Sequence, residues 1–166
     1  MFVKDKFIKL YMDWAKRTSE LSYAQRLKVG AVIVKDDCVI SYGYNGMPAG
    51  WNNNCEETEY VSKSECYSTK EWMIENQFTE TDNGWTRLKT KPEVLHAESN
   101  ALAKLAKSHN SGLGAELFVT HSPCLECAKL IYQSGISKVY YNEEYRSNAG
   151  IEFLKRSGVE VAKHSI

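Results

Sequence analysis

His96-Ala97-Glu98 and Ser122-Pro123-Cys124-Leu125-Glu126-Cys127 put one imidazole, two thiolates and one carboxylate into two short segments. Zinc favours tetrahedral nitrogen and sulfur ligands, and a catalytic site keeps one position open for water. His96, Cys124 and Cys127 supply three ligands and leave the fourth position free. Bound zinc lowers the pKa of its water to about 7, from about 9 for the aqueous ion. Two thiolates nearly cancel the metal's charge, so this water is less acidic than one held by three histidines. Glu98 supplies the missing basicity: it takes a proton from the water, then delivers protons to a ring nitrogen and a leaving amine. Positioned proton transfer of this kind contributes ~10²–10⁴-fold. This is the inventory of a zinc-dependent deaminase. A lone C-x-x-C also fits a redox pair or a closed structural zinc site, and H-x-E alone is common by chance. The combination, with Pro123 directly before the first cysteine, is specific.

Local structure has to bring these groups together. Pro123 suits a first helical turn, where its missing N–H costs nothing. Cys124 and Cys127 then lie i, i+3 on one helix face, near the positive end of the helix dipole, which favours thiolates. Lys91-Pro92-Glu93-Val94-Leu95 reads as an extended approach. Ala97 to Lys107 has the apolar spacing of a helix (Ala97, Ala101, Leu102, Leu105, Ala106), so His96 falls at a second helix start. Two helix N-termini converging on one point suit an anionic site.

Elsewhere, Phe7, Leu10, Tyr11, Trp14 and Ala15 form one stripe of a helix ending near Glu20. Val29 to Val34 is a continuous apolar run, read as a buried strand. Lys35-Asp36-Asp37 is a turn, and Val39 to Tyr44 the returning strand of a hairpin. Leu117 to Thr120 and Ser137 to Tyr141 are further strands. Ile151 to Arg156 reads as a helix and Val159 to Ala162 as a short last strand. Strands alternating with helices imply an α/β sandwich with parallel pairing in its later half. The polar stretch from Trp51 to Lys91 breaks this rhythm. Trp72, Met73, Ile74, Phe78 and Trp85 give it something to bury, so an ordered insertion is expected, with a short helix over Ser68 to Asn76.

The 166 residues suit one domain over residues 1–166, with the insertion at about 51–91. No apolar run is long enough to span a membrane, and Met1-Phe2-Val3-Lys4-Asp5-Lys6 lacks the apolar region of a secretory signal. Five cysteines, two of them in a metal motif, imply a reducing compartment and a cytoplasmic location. Twenty-one basic and 21 acidic residues balance to zero net charge. A polynucleotide-binding face is usually basic, so a small soluble nucleotide suits this chain better than tRNA or single-stranded DNA.

Arg26, Lys28 to Val34, Gly43-Tyr44-Asn45-Gly46-Met47-Pro48-Ala49-Gly50, His96-Ala97-Glu98-Ser99-Asn100-Ala101, Pro123-Cys124-x-x-Cys127, Gly135-Ile136 and Tyr145 together resemble the deoxycytidylate (dCMP) deaminases, in the style of bacteriophage members. The zinc motif is common to all cytidine-deaminase-like enzymes, and the Gly-Tyr-Asn-Gly-Met-Pro stretch narrows the match. The resemblance implies a three-layer α/β/α fold with a five-stranded mixed sheet, catalytic Zn2+, and hydrolysis of dCMP to dUMP and ammonia, which supplies dUMP for dTMP synthesis. It implies that Asn45 binds the deoxyribose, the Ala97 N–H the base carbonyl, and the Ser122 carbonyl the leaving amine. Arg26, Tyr145 and Arg146 are candidates for the phosphate, since a guanidinium matches phosphate oxygens bidentately. It further implies a hexamer activated by dCTP with Mg2+ and inhibited by dTTP, with Lys28, Gly46 and Met47 as candidates for the effector site. If the chain is phage-encoded, its location is the host cytosol.

Some phage relatives carry a second, structural zinc. Ser22 to Gln25 holds no cysteine and Thr81 to Leu95 no histidine here, which leaves Cys55 and Cys66 as two possible ligands, short of the four such a site needs. Cys38 reads as a small core or edge residue, His109 and His164 as exposed, and His121 as a structural or pocket-wall histidine. Asn45 alone also reads as a turn residue, and Arg26 alone as half of an ion pair. Rival functions are a tRNA or free-cytidine deaminase of the same fold, deamination of dCTP as well as dCMP, and a non-catalytic zinc module that senses deoxynucleotides. Glu98 argues against the last, because a structural site has no use for a non-ligand carboxylate.

Overall fold

The computed structural model describes residues 4–165; Met1 to Val3, part of the segment read as lacking a leader, lie outside them. Helix α1 (Asp5–Ser19) is followed by the hairpin β1 (Gly30–Lys35) and β2 (Cys38–Tyr44). Asp36 and Asp37 both have positive φ, 50° and 58°, the backbone a tight two-residue hairpin turn requires. After a long excursion come α3 (Ala97–Ala106), β6 (Glu116–His121), α4 (Leu125–Gln133), β7 (Lys138–Glu143), α5 (Ala149–Arg156) and β8 (Glu160–Lys163). The main sheet runs β2-β1-β6-β7-β8. β1 is antiparallel to both β2 and β6, while β6–β7 and β7–β8 are parallel. The expected five-stranded mixed sheet, parallel in its later half, is present.

Side chains of the inner strands alternate between two cores. Ala31, Ile33, Leu117, Val119 and Val139 pack under α3, α4 and α5. Val32, Val34, Phe118 and Tyr140 point the other way, onto Tyr11, Met12 and Ala15 of α1. Both faces are therefore covered, which is why β1, β6 and β7 read as unbroken apolar runs. The expected stripe of α1 needs correction. Leu10 and Trp14 are 45% and 49% exposed, and Met12 takes the buried position instead. The helix is turned by roughly one position because its sheet contact runs through Tyr11, Met12 and Ala15.

The excursion is ordered, as its aromatics implied, but it carries a second sheet that was not foreseen. It holds β3 (Glu56–Ser62), α2 (Lys70–Glu75), β4 (Thr79–Glu80) and β5 (Gly84–Thr90). The three strands pair antiparallel in the order β3-β5-β4. The Thr69 hydroxyl caps α2 by accepting from the Trp72 N–H. Met73, Phe78 and Trp85 form its small core. Trp72 and Ile74, expected inside, lie outside at 47% and 58% exposure.

Candidate active site

The ligand-bearing segments are held at two helix starts. His96 is the N-cap of α3 and Cys124 the N-cap of α4. Pro123 therefore sits one residue before the N-cap rather than in the first turn. The Cys127 N–H donates to the Cys124 Sγ at 3.5 Å, as a capping bond. Two close approaches bring the helices in. At Gly43 a Cβ would lie 2.3 Å from the Ala97 carbonyl oxygen, and at Gly150 one would lie 2.0 Å from that of Pro123. Only glycine lets β2 touch the start of α3, and α5 touch the turn into α4. Gly46 and Leu95 exchange two backbone hydrogen bonds (3.1 and 2.9 Å), tying the Gly-Tyr-Asn-Gly turn to the chain entering His96.

His96 Nδ1 lies 3.5 Å from Cys124 Sγ and 3.4 Å from Cys127 Sγ. A tetrahedral zinc with bonds of about 2.3 Å to sulfur and about 2.05 Å to nitrogen has N···S edges of about 3.5 Å. The three residues fit the metal, and they form the one such group among the described residues. His96 faces solvent, Cys124 is half-buried and Cys127 is buried. Hydrogen bonds from the Cys127 thiol and from His96 pull the Cys124 thiol down to about 3. Cys127, which donates to that thiolate and is desolvated, is pushed far above the usual thiol range. His96 is raised by its hydrogen bond to Cys124. Three donor atoms crowded at one point share protons in this way, and a divalent cation would take all three lone pairs.

Glu98 lies in the first turn of α3 and is 4% exposed. Burial pushes its carboxyl above the ordinary carboxylate range, with its own backbone N–H, His96 and Cys127 pulling the other way. A carboxyl whose pKa is raised by burial is better able to accept a proton and return it.

His96, Glu98, Cys124, Asn45, Ala97, Ser122 and Tyr145 all line one cleft. Its walls include the apolar Ala24, Leu27, Val29 and Val94. The Ser122 hydroxyl accepts from the Tyr145 N–H at 2.7 Å, folding the loop after β7 over the site. The Asn45 amide is largely committed to backbone: Oδ1 accepts from the Val29 N–H and Nδ2 donates to the Leu27 carbonyl, both at 2.8 Å. One N–H of that amide is left for a ligand.

Arg26 and Arg146 do not line this cleft. They line an adjoining one that shares Leu27, Thr90, His121 and Tyr145 with it. Gln77 Oε1 accepts from Arg26 Nη2 at 2.5 Å and from Arg146 Nη2 at 3.2 Å. Arg26 also donates to Thr90 Oγ1 at 3.2 Å. Neither guanidinium has a carboxylate partner among the described residues. Two like charges held at one neutral oxygen leave room for an anion.

Gly46 and Met47 line a separate cavity with Tyr23, Tyr44, Asn100 and Lys104, whereas Lys28 is exposed and does not reach it. Cys55 is buried with Ala24, Val94 and Met47, while Cys66 packs beside Met73, Phe78 and Trp85. The two cysteines thus lie in different clusters and do not form a paired metal site. Cys38 is exposed on the edge strand β2, as an edge residue. His164, expected exposed, is half-buried, with its N–H donating to the Tyr141 carbonyl at 2.8 Å. His121 lines the cleft, with Nε2 3.4 Å from Glu143. Sequence reasoning passed over Glu56, Gln77 and Thr90, all from the insertion. Only their place in the fold brings them to the site, so no spacing signal announces them.

This fold and this site define a zinc-dependent deaminase. The sequence profile of the cytidine and deoxycytidylate deaminase zinc-binding region matches residues 5–143, and the chain belongs to that family. It is 37% identical over 153 residues to the deoxycytidylate deaminase of Enterobacteria phage T4, covering 81% of this chain and 77% of that protein. The deoxycytidylate deaminase of Mycobacterium phage D29 is 35% identical over 134 residues, covering 81% and 92%. The crystal structure of dCMP deaminase from the cyanophage S-TIM5, in complex with dCMP and dUMP, superposes with a TM-score of 0.77 at 40% identity. That match covers 98% of this chain and 100% of that one.

Proposed function

We propose that this enzyme hydrolyses dCMP to dUMP and ammonia, and that residues 1–166 form one deaminase domain whose 51–91 insertion faces the substrate. The observation that carries the substrate is the continuity of two clefts. One end holds the ligand cluster and Glu98, and the other holds Arg26 and Arg146 without carboxylate partners. A base at the first end and a 5′-phosphate at the second give a nucleoside monophosphate. The zero net charge of the chain favours this over a polynucleotide.

His96, Cys124 and Cys127 would hold zinc, which when bound supplies the Lewis acidity that lowers the pKa of the attacking water. Glu98 accepts the water's proton as the C4–O bond forms, and passes it to N3 of the ring. It then carries a second proton to the departing amine as the C4–N bond breaks. The Ala97 N–H donates to the base carbonyl, and the Ser122 carbonyl accepts from the amine. Asn45 meets the sugar through its remaining N–H. Tyr145 and the two arginines hold the phosphate.

Regulation belongs to the same reading. The cavity at Gly46 and Met47, with Lys104 4.1 Å above the Tyr42 ring, suits an anionic nucleotide effector. dCTP with Mg2+ would activate there and dTTP inhibit. Lys28 lies outside this cavity and is not part of the assignment. The exposed Leu10 and Trp14 offer apolar surface for self-association, and the hexamer is what the family resemblance implies. The five free cysteines support a cytoplasmic location, host cytosol for a phage gene. Among the described residues no helix is long and apolar enough to cross a membrane.

The test is initial rates on dCMP, deoxycytidine, CMP and dCTP, each with and without dCTP–Mg2+ or dTTP. Selective dCMP turnover, raised by dCTP and lowered by dTTP, is the expected result. No dCMP turnover by zinc-loaded enzyme under any effector condition would refute the substrate. Turnover of dCMP that ignores both effectors would refute the regulation alone. Arg26→Ala is expected to cut kcat/KM for dCMP by ~10–100-fold, the worth of a charge-assisted bond. Deoxycytidine, which has no phosphate, should be little affected, and equal losses on both would remove Arg26 from the phosphate end.

A further inference from the structure

Glu56 is the first residue of β3 and is 3% exposed. Its Oε1 accepts from the backbone N–H groups of Gln25 at 3.0 Å and Arg26 at 3.3 Å. Its Oε2 is buried and has no hydrogen-bond partner among the described residues. Glu56 also lines the active-site cleft, together with Asn45, Thr90, His96 and Glu98. A buried carboxylate oxygen left unpaired is costly, and native structures keep few of them. The cost is understandable where a bound ligand completes the pairing.

The chemistry of the missing partner is restricted. An ionised carboxylate only accepts, so the ligand must present a donor. A phosphate presents none and would be repelled. The reacting amine and ring nitrogen belong to Glu98, at the metal end. Glu56 lines the metal-end cleft and is hydrogen-bonded to the backbone of Arg26, whose side chain lines the adjoining cleft, so it joins the linings of the two. The part of dCMP between base and phosphate is the deoxyribose. With C1′ bonded to the base and O5′ to phosphorus, that sugar has a single free hydroxyl, at C3′. Asn45 complements this role: its remaining N–H can donate to the hydroxyl oxygen, while Glu56 accepts the hydroxyl's proton.

We infer that Glu56 is a specificity residue that accepts a hydrogen bond from the 3′-hydroxyl of the substrate's deoxyribose. The inference rests on the dCMP reading. It gives the 51–91 insertion a direct part in substrate recognition, because β3 delivers Glu56 from outside the main sheet.

The test compares dCMP with 2′,3′-dideoxycytidine 5′-monophosphate in the wild type, Glu56→Ala and Glu56→Gln. In the wild type, loss of the 3′-hydroxyl should lower kcat/KM by about 10–100-fold, the range for a hydrogen bond to a charged group. In Glu56→Ala the two substrates should react within about 3-fold of one another, because the same interaction has been removed already. A merely structural Glu56 would lower both rates and leave their ratio alone. Glu56→Gln can still accept from Gln25 and Arg26, and its amide N–H can donate to the hydroxyl oxygen, so its preference for dCMP should fall between those of the wild type and Glu56→Ala; it carries the test if the alanine variant loses its fold or zinc. Equal turnover of both substrates by the wild type overturns the inference. So does an undiminished preference for dCMP in a folded variant. Absence of any dCMP turnover by the wild type overturns the substrate reading as well, and so is told apart from a failure of Glu56 alone.

Discussion

Glu98→Ala is expected to fold, keep its zinc and deaminate ~10²–10⁴-fold more slowly than the wild type, the usual worth of a positioned acid/base. Glu98 is not among the three atoms that fit the metal, so zinc content should not change. The carboxyl is buried and its pKa is raised by that burial, so ionisation there opposes folding. Glu98→Gln, which keeps the volume and removes the charge, should therefore unfold at a temperature no lower than the wild type. Zinc by atomic absorption, kcat on dCMP and a thermal melt together check this. Near-normal turnover in either variant would refute the acid/base role. Loss of zinc in Glu98→Gln would instead make the carboxylate a ligand.

Cys124→Ala is expected to abolish both zinc binding and turnover. Its Sγ is one of three donor atoms, and it also caps α4 by accepting from the Cys127 N–H. Removing it leaves an imidazole and one thiol, too few to hold a four-coordinate metal. The loss of activity should exceed the ~10–100-fold typical when only an outer partner of a metal ligand is removed. Alanine is a poor helix cap, so about 1 kcal/mol of stability should go as well. Metal analysis after purification, with activity measured before and after added zinc, decides the matter. A zinc-replete, active Cys124→Ala protein would refute the ligand set. Cys127→Ala should behave alike with respect to metal, and its buried side chain leaves less room for water to substitute.

Much of the site was legible because its parts are local. His96 and Glu98 lie two residues apart at one helix start, and Cys124 and Cys127 lie three apart at another. Within a helical turn, spacing dictates which side chains share a face. The unbroken apolar runs of β1 and β6 and the helix-period spacing of α3 likewise declared the sandwich. The second sheet was not legible. Glu56-Glu57-Thr58-Glu59-Tyr60-Val61-Ser62 is polar on both faces for most of its length, so no alternation marks it as a strand. It is a strand because β5 pairs along all of it. The inward face of α1 was misread for a related reason. Leu10 and Met12 are both apolar, and only the sheet beneath decides which one turns inward.

By itself the sequence determined the groups available for chemistry: three that could hold a metal, a carboxylate beside them and the α/β frame that carries them, all encoded over a few residues or by simple periodicity. The tertiary structure decided which further groups come to the clefts. Arg26 meets Arg146 across Gln77, and Glu56 reaches the cleft from a strand pairing that no local pattern announces. Those groups are between 21 and 120 residues apart along the chain, so their encounter is a property of packing, not of spacing.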